Sequence, residues 1–384
     1  MSVLGQIHHT PANTIRMKII RGLDNLLRHA SASESGCALT IGNFDGVHRG
    51  HQAMLALLNN EARHRGVPSC ALTFEPHPRD YFAAKFKKPE LAPARIATLR
   101  DKLHELRRCG VDQCVILPFD DQLAALPAED FINQVLVKAL GVRYVLVGDD
   151  FCFGAGRKGN YAMLDAAGEA QGFDVARMMS YEVHGMRVSS SAVRDALAEG
   201  RMEDAAQLMG RPYSVSGHVV HGAKLGRELG ASAAGNGDGF RTLNLRFTHW
   251  KPAASGIFAV HVHGLDPDPQ ATPLMGVANL GVRPSLDPND VNGGRVLLET
   301  HCLEWPDRIR AALTHAPTPG EAYGKIIRVE LLHKLHDELK YDSLDALTKG
   351  IAKDCDDARA YFASHASALA SHAAVRRQTT RDRI

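Results

Sequence analysis

Apolar residues in the first half of the chain follow two rhythms. Short runs, such as Cys37-Ala38-Leu39-Thr40-Ile41 and Ser69-Cys70-Ala71-Leu72-Thr73-Phe74, end at Gly42 or at Pro76 and Pro78. Residues 114–117 and 144–147 repeat the pattern, the latter stopping at Gly148. Runs of about five apolar and β-branched residues bounded by Gly and Pro predict buried strands. Between them apolar positions recur at helical spacing: Met54, Leu55, Leu58 and Ala62; Ile96, Leu99, Leu103 and Leu106 over 95–109; and the stretch 131–140. Strands alternating with helices predict an open parallel α/β sheet.

The character changes after about residue 212. The β-rich runs 215–220, 256–262 and 325–331, separated by Gly- and Pro-rich turns, predict an antiparallel barrel or sandwich. A long helix is predicted over 343–369, with Ser343 as its N-cap and Leu344, Leu347, Ile351, Cys355, Ala358 and Phe362 as its apolar stripe. The basic end, residues 376–383, is predicted to fray. The fold class read from these patterns is α/β plus all-β.

Composition narrows the picture. A chain of 384 residues, 45% hydrophobic and 23% charged, has the length of two or three domains and is not disordered, collagen-like or a disulfide-stapled miniprotein. With 45 Lys and Arg against 43 Asp and Glu, the net charge of +2 offers no field for nucleic acid or a membrane surface. The seven cysteines (37, 70, 109, 114, 152, 302 and 355) are dispersed and form no Cys-x-x-Cys pair. They read as free thiols in a reducing compartment, not as a disulfide framework or a zinc site. No apolar run is long enough to span a bilayer, and residues 1–18 lack the apolar stretch of a signal peptide. The expectation is a cytoplasmic protein.

Residues 39–51 hold the first concentration of chemistry: Leu-Thr-Ile-Gly-Asn-Phe-Asp-Gly-Val-His-Arg-Gly-His. A strand runs into a glycine-punctuated loop and a helix then opens, the place where open α/β sheets bind ligands. Amides at a helix start favour an anion, and Gly42, Gly46 and Gly50 let backbone approach a phosphate. His48 and His51, three apart, can face one side and stabilise a phosphoryl group in transfer. A lone pair at this spacing reads better as a loop cap and a partly buried core residue; here the strand, the three glycines and the helix all agree on a phosphate site.

The stretch 42–51 resembles the HxGH signature of the nucleotidyltransferase superfamily, and in its full form the prokaryotic bifunctional riboflavin kinase/FAD synthetase family. Other segments match that family in order: Phe74-Glu75-Pro76-His77-Pro78, then 148–154 with Arg157 and Gly159, then 188–194, then 210–217. The resemblance runs from about Met17 to Phe362. It implies an N-terminal Rossmann-like adenylyltransferase sheet over 17–205 and a C-terminal antiparallel riboflavin kinase barrel with a terminal helix over 206–370. Residues 1–16 are then an extension or a misassigned start, and 371–384 a basic tail.

The resemblance implies adenylyl transfer from ATP to FMN, giving FAD and pyrophosphate. His48, His51 and Arg194 are the implied catalytic residues. Gly42, Asn43, Phe44, Asp45, Gly46 and Gly50, with Ser189, Ser190 and Ser191, are the implied phosphate-binding residues. Without the resemblance, the serines read as a helix N-cap and Arg194 as a solvated cation. Asp150, Phe151, Phe153 and Arg157 are implied to place the flavin, with core packing the other reading of the two rings.

For the kinase half, Gly222, Lys224, Gly226 and Arg227 match a glycine-rich stretch that wraps ATP phosphates. The family then carries Gly-Phe-Pro-Thr-Ala-Asn, whose Thr and Asn hold magnesium. This chain inserts residues 231–238 and then reads Gly239-Phe240-Arg241-Thr242-Leu243-Asn244. Thr242 and Asn244 keep the liganding oxygens. Arg241 frees a φ angle that proline would fix, and Leu243 adds bulk where the family has alanine, next to the expected nucleotide. Asn279 and Arg283 fall in a segment expected to line the flavin or ATP pocket, and Glu299 is the implied base for the riboflavin 5′-hydroxyl. Surface alternation is the plain reading of Glu299. Riboflavin, FMN, FAD and ATP are the expected partners, with Mg2+ as cofactor. Two alternatives stay open: an FAD synthetase with a slow or silent kinase half, and a flavin-binding regulatory module without catalysis.

Overall fold

The computed structural model describes residues 17–30, 36–179, 181–183, 185–220, 242–246, 251–268, 271–283, 295–309 and 322–381. They form two compact units. The first takes the described residues of Met1–Phe44, His51–Leu91 and Leu103–Ser180, and the second those of Asp45–Gly50, Ala92–Lys102 and Tyr181–Ile384.

The first unit is built on strands β1 (Lys18–Arg21), β2 (Cys37–Ile41), β3 (Ser69–Phe74), β4 (Gln113–Leu117), β5 (Val142–Gly148) and β6 (Asp174–Met178). They lie in the order β1-β4-β3-β2-β5-β6, and every pairing is parallel. β2 is buried at every position, as a central strand covered on both faces must be. From β2 the chain steps outward through β3 and β4, then returns to lay β5 and β6 on the other side. The winding therefore reverses between β2 and β5. Ligands of open α/β sheets sit outside the carboxyl ends of strands at such a reversal. The chain leaves β2 into residues 42–48 and β5 into residues 149–159, the two loops singled out from the sequence.

The predicted helices are present, with two departures. The helix expected over 131–140 is a π-helix, Phe131–Ala139, in which the Leu140 amide reaches the Val135 carbonyl five residues back at 3.0 Å. The helix expected from residue 95 begins only at Leu99. Residues before it are drawn away from helical bonding: the Arg95 amide donates to the Lys251 carbonyl (3.1 Å), and the Ile96 and Ala97 amides donate to the Asp45 carboxylate (3.2 and 3.1 Å).

The second unit opens with a short antiparallel pair, β7 (Glu182–Val183) and β8 (Met186–Arg187), and the helices Ser190–Ala198 and Met202–Met209. Strands β9 (Tyr213–Val220), β10 (Leu243–Arg246), β11 (Gly256–His263), β12 (Leu274–Arg283), β13 (Arg295–Cys302) and β14 (Ile326–His336) then close a barrel, in ring order β10-β13-β12-β11-β14-β9. A barrel, not a sandwich, is the outcome. Alternation sorts its side chains: Leu243, Leu245, Phe258, Val260, Leu280 and Leu298 fill the interior. On the outer face Ile257, Ala259 and Val277 are covered by Cys355 and Ala358 of the helix Leu344–Arg381. Phe362 of that helix stacks on His261 at 5.4 Å and 12°.

Ser343 caps this helix as expected, accepting from the Ala346 amide at 3.1 Å. Leu344, placed on the apolar stripe from the sequence, is instead exposed, because the covered stripe begins further along the helix. The backbone stays helical to Arg381, where fraying was expected from 376. All seven cysteines are free.

Phe258 is fully buried in the barrel interior. Phe258→Ala is expected to cost about 3–5 kcal/mol in the denaturation transition that reports on the barrel. A cost below about 1 kcal/mol would contradict this packing.

Candidate active sites

The loop after β2 is held in an unusual backbone conformation. Phe44, Gly46 and Val47 have φ of 47°, 82° and 41°. For valine, a β-branched residue, that region is strained and persists only where neighbours impose it. Gly46 has no alternative, since a Cβ there would also lie 2.6 Å from Ile96 Cγ2. The Gly42 amide donates to the Leu72 carbonyl (3.0 Å), and the Asn43 carbonyl accepts from Thr73 Oγ1 (3.3 Å). Phe44 is buried with its ring edge-on to His51 at 5.2 Å. Its side chain is packing, so only its backbone remains to face a phosphate.

Asp45 anchors the loop. Its side chain is 1% exposed and accepts from the Ile96 and Ala97 amides and from Arg194 Nη2 at 2.7 Å. Arg95 Nε lies 3.7 Å away. Burial alone would push this carboxyl up, but Arg95, Arg194 and the hydrogen bonds outweigh it and hold Asp45 below the usual carboxylate range. Arg194 also donates through Nε to the Ala94 carbonyl at 2.7 Å, and Ser190 Oγ donates to the Asp45 carbonyl at 3.2 Å. Arg194 is therefore neither solvated nor aimed only outward: it ties the helix Ser190–Ala198 to the loop. Ser189 is that helix's N-cap, accepting from the Ala192 amide at 3.1 Å, while Ser191 is exposed.

His48 directly precedes the helix Arg49–Arg65, whose first turn carries Gly50 and His51. His48 is buried, and His51 is half-buried. Burial, reinforced by the Arg194 and Arg211 cations and opposed by Asp45, brings the His48 imidazole down to about 4. It is neutral near pH 7. A Cβ at Gly50 would lie 3.2 Å from His48 Nδ1, so glycine keeps that approach open.

In the loop after β5, Phe153 is buried, and its backbone pairs with Gly159 in both directions (3.1 and 2.9 Å). Phe151 is half-buried and stacks on it at 5.4 Å. Phe153 is thus core and Phe151 the more accessible ring. Asp150 and Arg157 are exposed. The sequence reading missed a second aromatic group in this unit. Phe82 stacks on Phe86 at 5.8 Å, and Phe119 packs edge-on against Phe74, Tyr81 and Phe82 at 5.4–5.8 Å. Phe86, at 56% exposed, ends this row at the surface. The signal was there in Tyr81, Phe82 and Phe86 crowded just after the Phe74–Pro78 match.

On the barrel, Asn244 (β10) pairs with Glu299 (β13), and Glu299 pairs with Asn279 (β12). Directly opposed residues share a face, so the three form one row across adjacent strands. Their neighbours Leu245, Leu298 and Leu280 point into the core, which puts the row on the outer face. Oδ1 of Asn244 and Oδ1 of Asn279 are buried and have no hydrogen-bond partner among the described residues. Asn244 Nδ2 donates to the Thr242 carbonyl (3.3 Å) and reaches Thr242 Oγ1 (3.5 Å). A buried carbonyl oxygen without a donor, beside a hydroxyl, is the oxygen chemistry a hard divalent cation takes. Among the described residues no cluster of three His, Cys, Asp or Glu side chains is placed to hold a metal.

Leu243 is 5% exposed and lies in the barrel core, on the opposite face from Asn244. Gly222, Lys224, Gly226, Arg227, the insertion 231–238 and Arg241 lie outside the described residues. Arg283 ends β12, paired with Arg295. Glu338 was also missed: its carboxylate occupies the space a Cβ on Gly281 would need, two residues from Asn279.

A family model described as FAD synthetase matches residues 30–192, and one described as riboflavin kinase matches residues 209–362. A relative from Escherichia coli, named bifunctional riboflavin kinase/FMN adenylyltransferase, is 42% identical over 346 residues, covering 90% of this chain and 98% of the relative. The chain belongs to the bifunctional riboflavin kinase/FMN adenylyltransferase family. Relatives of the same name from Haemophilus influenzae (39% identical; 91% of this chain, 100% of the relative) and Pseudomonas fluorescens (40%; 91% and 99%) agree. A solved structure described as a macrolide-efflux protein from Streptococcus pneumoniae is similar with a TM-score of 0.64 at 23% identity, over 89% of this chain and 99% of that one. That likeness is one of fold. No helix among the described residues is long and apolar enough to cross a membrane, so this family member has no helical span there.

His48 gives the adenylyltransferase half a pH signature. Its folded value, about 4, lies below the ordinary 6.5, so the unfolded chain takes up the proton first as pH falls. Stability from this group is intact above about pH 6.5 and declines down to about 4, by about 2 kcal/mol at pH 5. Urea denaturation at several pH values is expected to show a shallower acid decline for His48→Gln than for the parent. Equal declines would contradict a buried neutral imidazole.

Proposed function

We propose how the residues divide the two reactions, riboflavin to FMN and FMN to FAD, each at the expense of ATP, within residues 206–370 and 17–205. The observation that carries the reading is the match to a bifunctional relative along 90% of this chain, with both family models falling in order upon it. The proposed setting is the cytoplasm.

In adenylyl transfer, a phosphate oxygen of FMN attacks the α-phosphorus of ATP, and the bond to the bridging oxygen breaks to release pyrophosphate. Such chemistry depends on positioning and charge neutralisation. The backbone of Gly42, Asn43, Phe44, Asp45, Gly46 and Gly50 approaches the triphosphate, and His48 and His51 stabilise the transferred group. His48, neutral near pH 7, acts there as a hydrogen-bonding group, and its protonation at low pH removes that form. Ser189, Ser190 and Ser191 offer a helix start to the leaving pyrophosphate, with Arg194 fixing that helix and adding its charge. The flavin ring is placed by Phe151, on which Phe153 stacks, and by Asp150 and Arg157 of the same loop.

In the kinase reaction, the riboflavin 5′-hydroxyl attacks the γ-phosphorus, its proton passes to Glu299, and ADP leaves. Thr242 and Asn244 would hold Mg2+, which when bound neutralises charge on the ATP phosphates. Gly222, Lys224, Gly226 and Arg227 cradle those phosphates, and Asn279 and Arg283 meet the flavin. Leu243 in the core removes one reason to expect a silent kinase half.

A product time course that separates FMN from FAD tests the division. His51→Ala is expected to cut FAD formation by roughly tenfold or more and to spare riboflavin phosphorylation. Glu299→Gln is expected to do the reverse. Equal loss of both activities in either variant, or normal riboflavin phosphorylation by the Glu299→Gln variant, would overturn the assignment concerned.

A further inference from the structure

Arg211 lies inside the stretch matched by the riboflavin kinase model, two residues before β9 begins. Its side chain reaches back to the loop after β2. Nη2 donates to the Gly46 carbonyl at 2.7 Å, and Nη1 is 3.2 Å from both the Val47 carbonyl and the Met209 carbonyl. Gly210, with φ of 73°, turns the chain between the helix Met202–Met209 and Arg211, so the guanidinium fork joins that helix's end to the loop. The carbonyls it holds belong to two residues of positive φ, Gly46 and Val47. A strained backbone of this kind relaxes when its partners are removed. The next residue is His48.

We infer that Arg211 is a positioning residue for adenylyl transfer: by clamping the Gly46 and Val47 carbonyls it fixes where His48 is presented, so the kinase-family half of the chain builds part of the FAD synthetase site. This inference rests on the FAD-forming reading above. It differs from a role in the kinase, because the atoms Arg211 holds all belong to the loop and to the helix end. It also differs from general stabilisation, because Arg211 acts on His48 through charge as well as geometry. The groups facing His48 are Asp45, which favours its protonated form, and Arg194 and Arg211, which oppose it.

The test uses the full chain with Arg211→Gln and Arg211→Lys, assayed for FAD from FMN and ATP over a range of pH, and for FMN from riboflavin and ATP. The Gln variant is expected to lose about tenfold or more in kcat for FAD formation, with KM for ATP little changed and FMN formation preserved. Its acid limb is expected to move to higher pH, since one of the two opposing cations is gone. The Lys variant keeps the charge and the parental acid limb but loses the fork, so its kcat falls while its pH profile stays. Parental kcat with an unmoved acid limb in the Gln variant, or full kcat in the Lys variant, overturns the inference. Should the Gln variant lose both activities through misfolding, the Lys variant decides alone on the same criteria. A parent protein that makes no FAD would overturn the underlying reading instead.

Discussion

A carboxylate withdrawn from water stays ionised only where cations and amides replace the lost hydration. Asp45 meets that condition through residues brought from far along the chain: the Ile96 and Ala97 amides and the Arg194 and Arg95 guanidiniums. Once these groups gather around it, the backbone on either side has little freedom. Phe44 and Val47 take φ angles that they would otherwise avoid, and His48 is carried into a buried, cation-flanked position. The loop after β2 is thus shaped by one anion that must be satisfied as well as by the glycine at position 46.

The kinase half works from a simpler rule. Successive residues of a barrel strand face opposite ways. The strand that carries Leu243 into the core therefore carries Asn244 out, and the ladder sets Asn244 beside Glu299 and Glu299 beside Asn279. Two side-chain oxygens in that row, of Asn244 and Asn279, are buried without a donor among the described residues.

Much of this was legible in the chain because the signals are local. The change from strand–helix alternation to β-rich runs located both architectures, and the glycines between Gly42 and Gly50 marked the loop beyond β2. What stayed hidden depends on partners remote in sequence. Asp45 finds its amides 51 and 52 residues on and Arg194 149 residues on, so neither the anchor nor the late start of the helix at Leu99 could be read from spacing. That Leu243 packs in the core while Asn244 faces out could not be read from the isolated motif, because the ring of neighbouring strands decides which face is interior. The aromatic row ending at Phe86 was passed over because its partner Phe119 lies beyond the next strand.

The family resemblance and the geometry meet at Asp45, and the account stands or falls there. The decisive measurement is parallel formation of FMN from riboflavin and of FAD from FMN by the full chain carrying Asp45→Asn, a change that keeps the shape and removes the charge. The account predicts FAD formation reduced by about tenfold or more while FMN formation persists. FAD formed at the parental rate would contradict it.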